Sequence, residues 1–177
     1  MLQQLWGYLT YPNLPVADYL QDITGVPTLM IPCHCLRISY DTKELIRTLF
    51  RSLHGEMDLF ILLGQNDVAR FAQRSQTGLL QMQESFSLYL DRRFADLHNL
   101  FSCNHLAIRT RHIVPFEDRS LDYPDSYLSL FQILSEKIAS FADKLHVGPF
   151  DEFLPDRWHL PCSARYKLAS QIACAIG

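Results

Sequence analysis

Nowhere in the chain do eighteen apolar residues run together, so the sequence offers no membrane-spanning helix. Basic residues do not predominate either. Sixteen Lys and Arg stand against nineteen Asp and Glu, a formal charge of −3, which supplies no positive field for nucleic acid or an anionic membrane and no acidic tail. The five cysteines, Cys33, Cys35, Cys103, Cys162 and Cys174, are odd in number and scattered, which argues against a secreted disulfide framework and predicts free thiols. The opening Met1-Leu2-Gln3-Gln4-Leu5-Trp6-Gly7 lacks the basic and apolar stretches of a secretory leader, so the expected setting is soluble and cytoplasmic. Repeats, low-complexity tracts and linkers rich in Gly or Pro are missing, and residues 1–177 are expected to form a single domain.

What is present is apolar. Hydrophobic residues make up 48% of the 177 and aromatics 12%, enough to build a sizeable core and too much for a disordered chain. Strand and helix signals alternate. Met1 to Trp6 reads as a first strand, and Val16 to Leu20 as a short helix entered through Pro15 and closed by Gly25. Extended segments are expected at Thr28 to Ile31 and Leu36 to Tyr40. Asp41-Thr42-Lys43-Glu44 forms a capping box ahead of a helix carrying Leu45, Ile46, Leu49, Phe50 and Leu53. Met57 to Leu63, apolar but for Asp58, reads as a central strand covered on both faces.

A long amphipathic helix follows over 79–102, with Leu79, Met82, Phe86, Leu90, Phe94, Leu97 and Phe101 on one face. His105 to Val114 reads as a strand. The next helix turns Leu128, Phe131, Leu134, Ile138, Phe141 and Leu145 inward until Gly148-Pro149. A very short strand over Val147 to Asp151 and a last helix beginning after Ser163 complete the series. Strands separated by helices imply parallel pairing with right-handed crossovers, and hence a three-layer α/β/α sandwich with a mostly parallel, flavodoxin-like sheet. In such sheets the site lies at the carboxyl ends of the strands, here the loops after Trp6, near Ser39, after Leu63 and after Phe150.

Two of those loops carry groups suited to acyl transfer. Gly64-Gln65-Asn66-Asp67 sets an amide at the end of a strand, where Asn66 can donate to a developing oxyanion. Asp156-Arg157-Trp158-His159 sets a carboxylate three residues before an imidazole, near enough to fix its tautomer while the other ring nitrogen acts as base. A helix cap and a structural Asp/His pair are the plain alternatives.

In this order the two blocks resemble the SGNH (GDSL-type) hydrolase family, which has a strand ending in Gly-x-Asn-Asp and an Asp-x-x-His block before a terminal helix. The resemblance runs over nearly the whole chain. It implies a catalytic set of His159, Asp156 and Asn66, with Gly64 and the segment around Ser39 at the oxyanion hole. The family's Gly-Asp-Ser block would fall at Gly7-Tyr8-Leu9-Thr10, which keeps Gly7 but has no serine. Ungapped, Leu9 takes the nucleophile's place; with a one-residue gap Thr10 comes nearer. The family's second glycine is likewise missing from Ile38-Ser39-Tyr40-Asp41-Thr42.

An imidazole without a positioned hydroxyl or thiol cannot form an acyl-enzyme, although it can still activate water. The resemblance therefore implies a catalytically impaired relative that binds a small acyl or ester ligand or a protein partner. The alternative is an active ester or acyl hydrolase using Thr10 or His-activated water. No cofactor is called for and no metal: Cys33-His34-Cys35 has no second pair at zinc-finger spacing, and a deaminase reading fails because Cys162 is followed by Ser163-Ala164-Arg165. Arg93 to His98 has the spacing of helical ribonuclease toxins, but buried strands exclude that fold and no nucleic acid is expected. Arg109 and Arg111 alternate with Ile108 and Thr110 as on a solvated edge strand, within reach of an anionic substrate.

Overall fold

The structure, a computed structural model, describes residues 15–74, 78–116, 118, 121–155 and 159–176. Nine elements occur among them: α1 (Val16–Thr24), α2 (Tyr40–Ser52), β1 (Gly55–Ile61), α3 (Gln65–Arg74), α4 (Leu79–Phe101), β2 (Leu106–Ile113), α5 (Asp125–Phe141), β3 (Asp143–Leu145) and α6 (Cys162–Ile176). Two compact units share them. One is Cys33–Pro115 with Asp122–Leu145, and the other holds the described residues of Met1–Pro32, Phe116–Leu121 and His146–Gly177.

The first unit contains a three-stranded parallel sheet in the order β1-β2-β3, flanked by helices. The fold is of the expected α/β class. Gly55 pairs with Leu106 and Ile61 with His112, while Arg111 to Ile113 pair with Asp143 to Leu145. Helix α4 buries Met82, Phe86, Leu90, Phe94 and Leu97, spaced three or four residues apart, and packs on α5, whose Leu130, Leu134 and Ile138 are buried. Complete burial of a side chain as large as Phe86 contributes roughly 1.5–3 kcal/mol, and the stacked rings of Phe94 and Phe141, 4.9 Å apart, extend the same layer. In the second unit α1 and α6 pack together, with Tyr19 edge-on to Tyr166 at 5.6 Å and Leu20, Leu168, Ala169 and Ile172 buried. Among the described residues no helix is long and apolar enough to cross a membrane, and all five cysteines are free thiols.

Several expectations need correction. Among the described residues β2, not β1, is the middle strand. Its polar residues disguise it. Arg111 is buried, with Nη2 3.8 Å from Asp58 Oδ1 and its guanidinium over the Phe60 ring, so it is no solvated edge residue. Thr28 to Ile31 and Leu36 to Tyr40 form no strand, because 34–37 bends and Ser39 already caps α2. The cap is thus Ser39, whose Oγ accepts from the Thr42 N–H at 3.2 Å, rather than Asp41. The third strand lies at Asp143–Leu145 and not over Val147 to Asp151. Helix α5 turns Tyr127, Leu130, Leu134 and Ile138 inward, a face rotated by one residue that leaves Leu128 exposed. Helix α3 carried no clear apolar stripe to announce it, and the expected strand Met1 to Trp6 lies outside the described residues.

Candidate active site

In the first unit the carboxyl end of β1 turns into α3 through Leu62, Leu63 and Gly64. Gly64 has φ +114°, a region open to glycine, and its carbonyl accepts the first helical bond from Val68 N–H at 3.0 Å. A Cβ there would lie 2.7 and 2.9 Å from the two methyl carbons of Leu134. The Leu63 carbonyl is held from the neighbouring strand by His112, whose Nε2–H donates to it at 3.0 Å. That bond makes Nε2 the protonated nitrogen. Nδ1 is buried with no hydrogen-bond partner among the described residues. Burial pushes the imidazole down to about pH 4 despite the opposing effect of the Leu63 bond, so His112 is neutral at physiological pH.

Beyond Gly64 the Asn-Asp pair divides its work. Asn66 is exposed and its Nδ2 donates to the His34 carbonyl at 2.7 Å. Asp67 is buried; Oδ2 accepts from Leu36 N–H at 2.9 Å and Oδ1 from the Tyr89 hydroxyl. Burial raises the Asp67 carboxyl above its usual range, against the hydrogen bonds from Tyr89 and Leu36 that favour its charged form. The Tyr89 phenol is pushed up as well, by burial first and then by the adjacent carboxylate. The block therefore clamps the 33–37 loop onto the first turn of α3. Since a primary amide has two N–H groups, one on Asn66 remains for an oxyanion after the His34 bond is made. Ser39 sits at the end of the clamped loop, its hydroxyl 2.8 Å from Thr42 Oγ1 and committed to the cap, which contributes on the order of 1 kcal/mol.

His159 belongs to the second unit. It is exposed, and its carbonyl accepts from Leu154 N–H at 2.8 Å. Leu160 is buried and its carbonyl takes Arg165 Nε–H at 2.8 Å, which anchors the loop to the helix. Cys162, the first residue of α6, is hydrogen-bonded to the Tyr19 hydroxyl, a bond that raises the Tyr19 pKa. The loop reaching Phe150 is also tied to α6, by Gln171 to Gly148 at 2.9 and 3.2 Å and by Lys167 Nζ to the Pro149 carbonyl at 2.6 Å. Asp156, Gly7 and Thr10 lie outside the described residues.

Of the sequence-selected residues, the structure joins Gly64, Asn66 and the loop leading to Ser39 within one unit and places His159 in the other. Sequence reasoning missed Asp67, Tyr89 and His112. The only advance signal for His112 was a polar residue at the buried end of a strand. Among the described residues no group of three His, Cys, Asp or Glu is placed to hold a metal.

No protein-family model and no curated protein sequence matches this chain. Among solved structures, that of the native M. smegmatis aryl esterase has a similar fold, with a TM-score of 0.55 at 14% identity, over 93% of this chain and 85% of that one. At that identity the likeness shows the fold alone, an α/β fold with a parallel sheet flanked by helices.

Proposed function

We propose that this protein binds a small acyl or ester ligand at the carboxyl ends of its strands and is impaired in turning it over. The observation that carries the reading is the missing nucleophile: Gly7-Tyr8-Leu9-Thr10 holds no serine, and the hydroxyl of Ser39 is spent on a helix cap. The Asp156-x-x-His159 spacing supplies a base and its orienting partner, and Asn66 supplies an amide donor, so recognition chemistry outlasts the nucleophile. The fold's likeness to an aryl esterase supports an acyl compound as the ligand. Loss of the nucleophile in hydrolases of this logic removes on the order of 10⁶-fold in rate.

With p-nitrophenyl acetate, turnover by the unmodified protein should not exceed the buffer rate, and His159→Ala should leave it unchanged. A non-hydrolysable analogue, a short-chain phenyl alkyl ketone, should bind saturably by tryptophan fluorescence or calorimetry. Vigorous turnover lost in Thr10→Ala or His159→Ala would overturn impairment and establish an active hydrolase instead. A complete absence of saturable binding would overturn the small-molecule reading in favour of a protein partner.

A further inference from the structure

The Cys33-His34-Cys35 segment lies in the loop that Asn66 and Asp67 hold against the first turn of α3. Both thiols are free and half-buried, so neither is shut away from solvent. Residues two apart lie within about 7 Å of each other even in a straight chain, close to the upper span of a disulfide, and here the chain bends at 34. The backbone on either side of Cys35 is pinned, by Asn66 at the His34 carbonyl and by Asp67 at the Leu36 N–H. The two sulfurs sense each other: burial pushes the Cys33 thiol up, and the neighbouring Cys35 pushes it further. Their surroundings differ. Arg70 Nη1–H donates to Cys35 Sγ at 3.8 Å, and the Cys35 S–H donates to the Arg37 carbonyl at 3.5 Å. A negative sulfur at Cys35 therefore has a guanidinium beside it, while burial holds Cys33 protonated.

One sulfur beside a cation and a second, protonated sulfur two residues away are the parts of an exchanging dithiol, in which the first attacks and the second resolves. Among the described residues no third His, Cys, Asp or Glu completes a metal site with them. We infer that Cys33 and Cys35 form a dithiol that reduces low-molecular-weight disulfides, Cys35 attacking first and Cys33 closing an internal disulfide behind it. The Cys35 thiolate attacks one sulfur of R–S–S–R, the S–S bond breaks, and the departing RS⁻ takes up the proton that Cys35 released. Cys33 then gives up its proton and attacks the Cys35 sulfur of the mixed disulfide. That step expels the second RS⁻, which is protonated in turn. The products are the Cys33–Cys35 disulfide and two RSH, so the two thiols lose two electrons and the small disulfide gains them.

The test incubates the full chain with oxidised glutathione, blocks the remaining thiols by alkylation and maps tryptic fragments by mass. No Lys or Arg precedes Arg37, so the fragment 1–37 carries Cys33 and Cys35 without a third cysteine, and the fragment 168–177 carries Cys174 alone. Fragment 1–37 should lose two hydrogens. This closed form should exceed any fragment retaining glutathione by about 10-fold or more, because the second thiol acts as an intramolecular partner at high effective concentration. Cys174, exposed and without a second thiol two residues away, should show glutathione addition only. In Cys33→Ser the reaction should stop at one glutathione on Cys35, and in Cys35→Ser addition to Cys33 should be at least about 10-fold slower. A fragment 1–37 that stays reduced or keeps its glutathione, or equal rates in the two serine variants, overturns the proposal. Should either substitution unfold the chain, closure in the unmodified protein still decides.

Discussion

Gly64→Ala should cost about 3–5 kcal/mol of stability, combining the penalty of a left-sided backbone conformation with that of overpacking. At φ +114° an alanine is strained whatever the room, and here its methyl would meet Leu134 at 2.7 Å. Leu134, on α5, is completely buried, which restricts how far its side chain can withdraw. Urea unfolding should show the loss as a lower midpoint with an unchanged slope. Adding Leu134→Ala removes the collision but not the backbone strain. The double variant should therefore lose less than the sum of the two single losses, by about 1–3 kcal/mol of coupling. A loss below about 1 kcal/mol for Gly64→Ala, or strict additivity, would mean that the turn relaxes easily and does not fix the start of α3.

Acidification should weaken the fold through His112. Its imidazole titrates near 6.5 in an unfolded chain and near 4 when buried, so between those values the unfolded state binds more protons and stability falls with pH. The contribution is fully present above pH 6.5, and about 3 kcal/mol of it is gone at pH 4. Asp67 works the other way: its carboxyl is raised by burial, so its protonation favours the folded state as pH drops from above the ordinary carboxylate range down to it. His112→Gln retains a donor for the Leu63 carbonyl while removing the titration, and Asp67 is common to both proteins. The difference between wild-type and variant stability curves over pH 7 to 4 isolates the imidazole. Parallel curves would show that His112 can protonate without opening its surroundings.

The contrast between β1 and β2 shows how the sequence could be read and where reading stopped. Periodicity located α4 and β2 to within a residue or two, because a buried stripe on a long helix imposes its spacing directly on the sequence. Which strand is central depends on pairing across the sheet, which local pattern does not encode. The buried arginine of β2 acquires its sense only beside Asp58 and Phe60. The same holds for the site. The turn at Gly64 was legible because a glycine ends the strand run, with the Asn66 amide two residues on. Asp67 read as a mere neighbour, since its partners Leu36 and Tyr89 lie 31 and 22 residues away. Ser39 was selected for its place near a strand end, but a hydroxyl before a helix finds the first-turn amide close by and is taken up there.

The bond from Leu36 to Asp67 also sets how this region breathes. A loop outside helix and strand ordinarily exchanges its amide hydrogens quickly, yet the Leu36 N–H is buried against a carboxylate on the first turn of α3. Its exchange should be slow compared with that of Arg37 beside it, and should accelerate together with the amide of Val68, which marks the opening of that helical turn. Equal exchange at Leu36 and Arg37 would mean the two segments open separately. Opening as one cooperative unit means that a ligand touching either His34 or Asn66 stiffens both, so recognition at this end of the sheet registers as a change in local opening frequency rather than as a displacement of atoms.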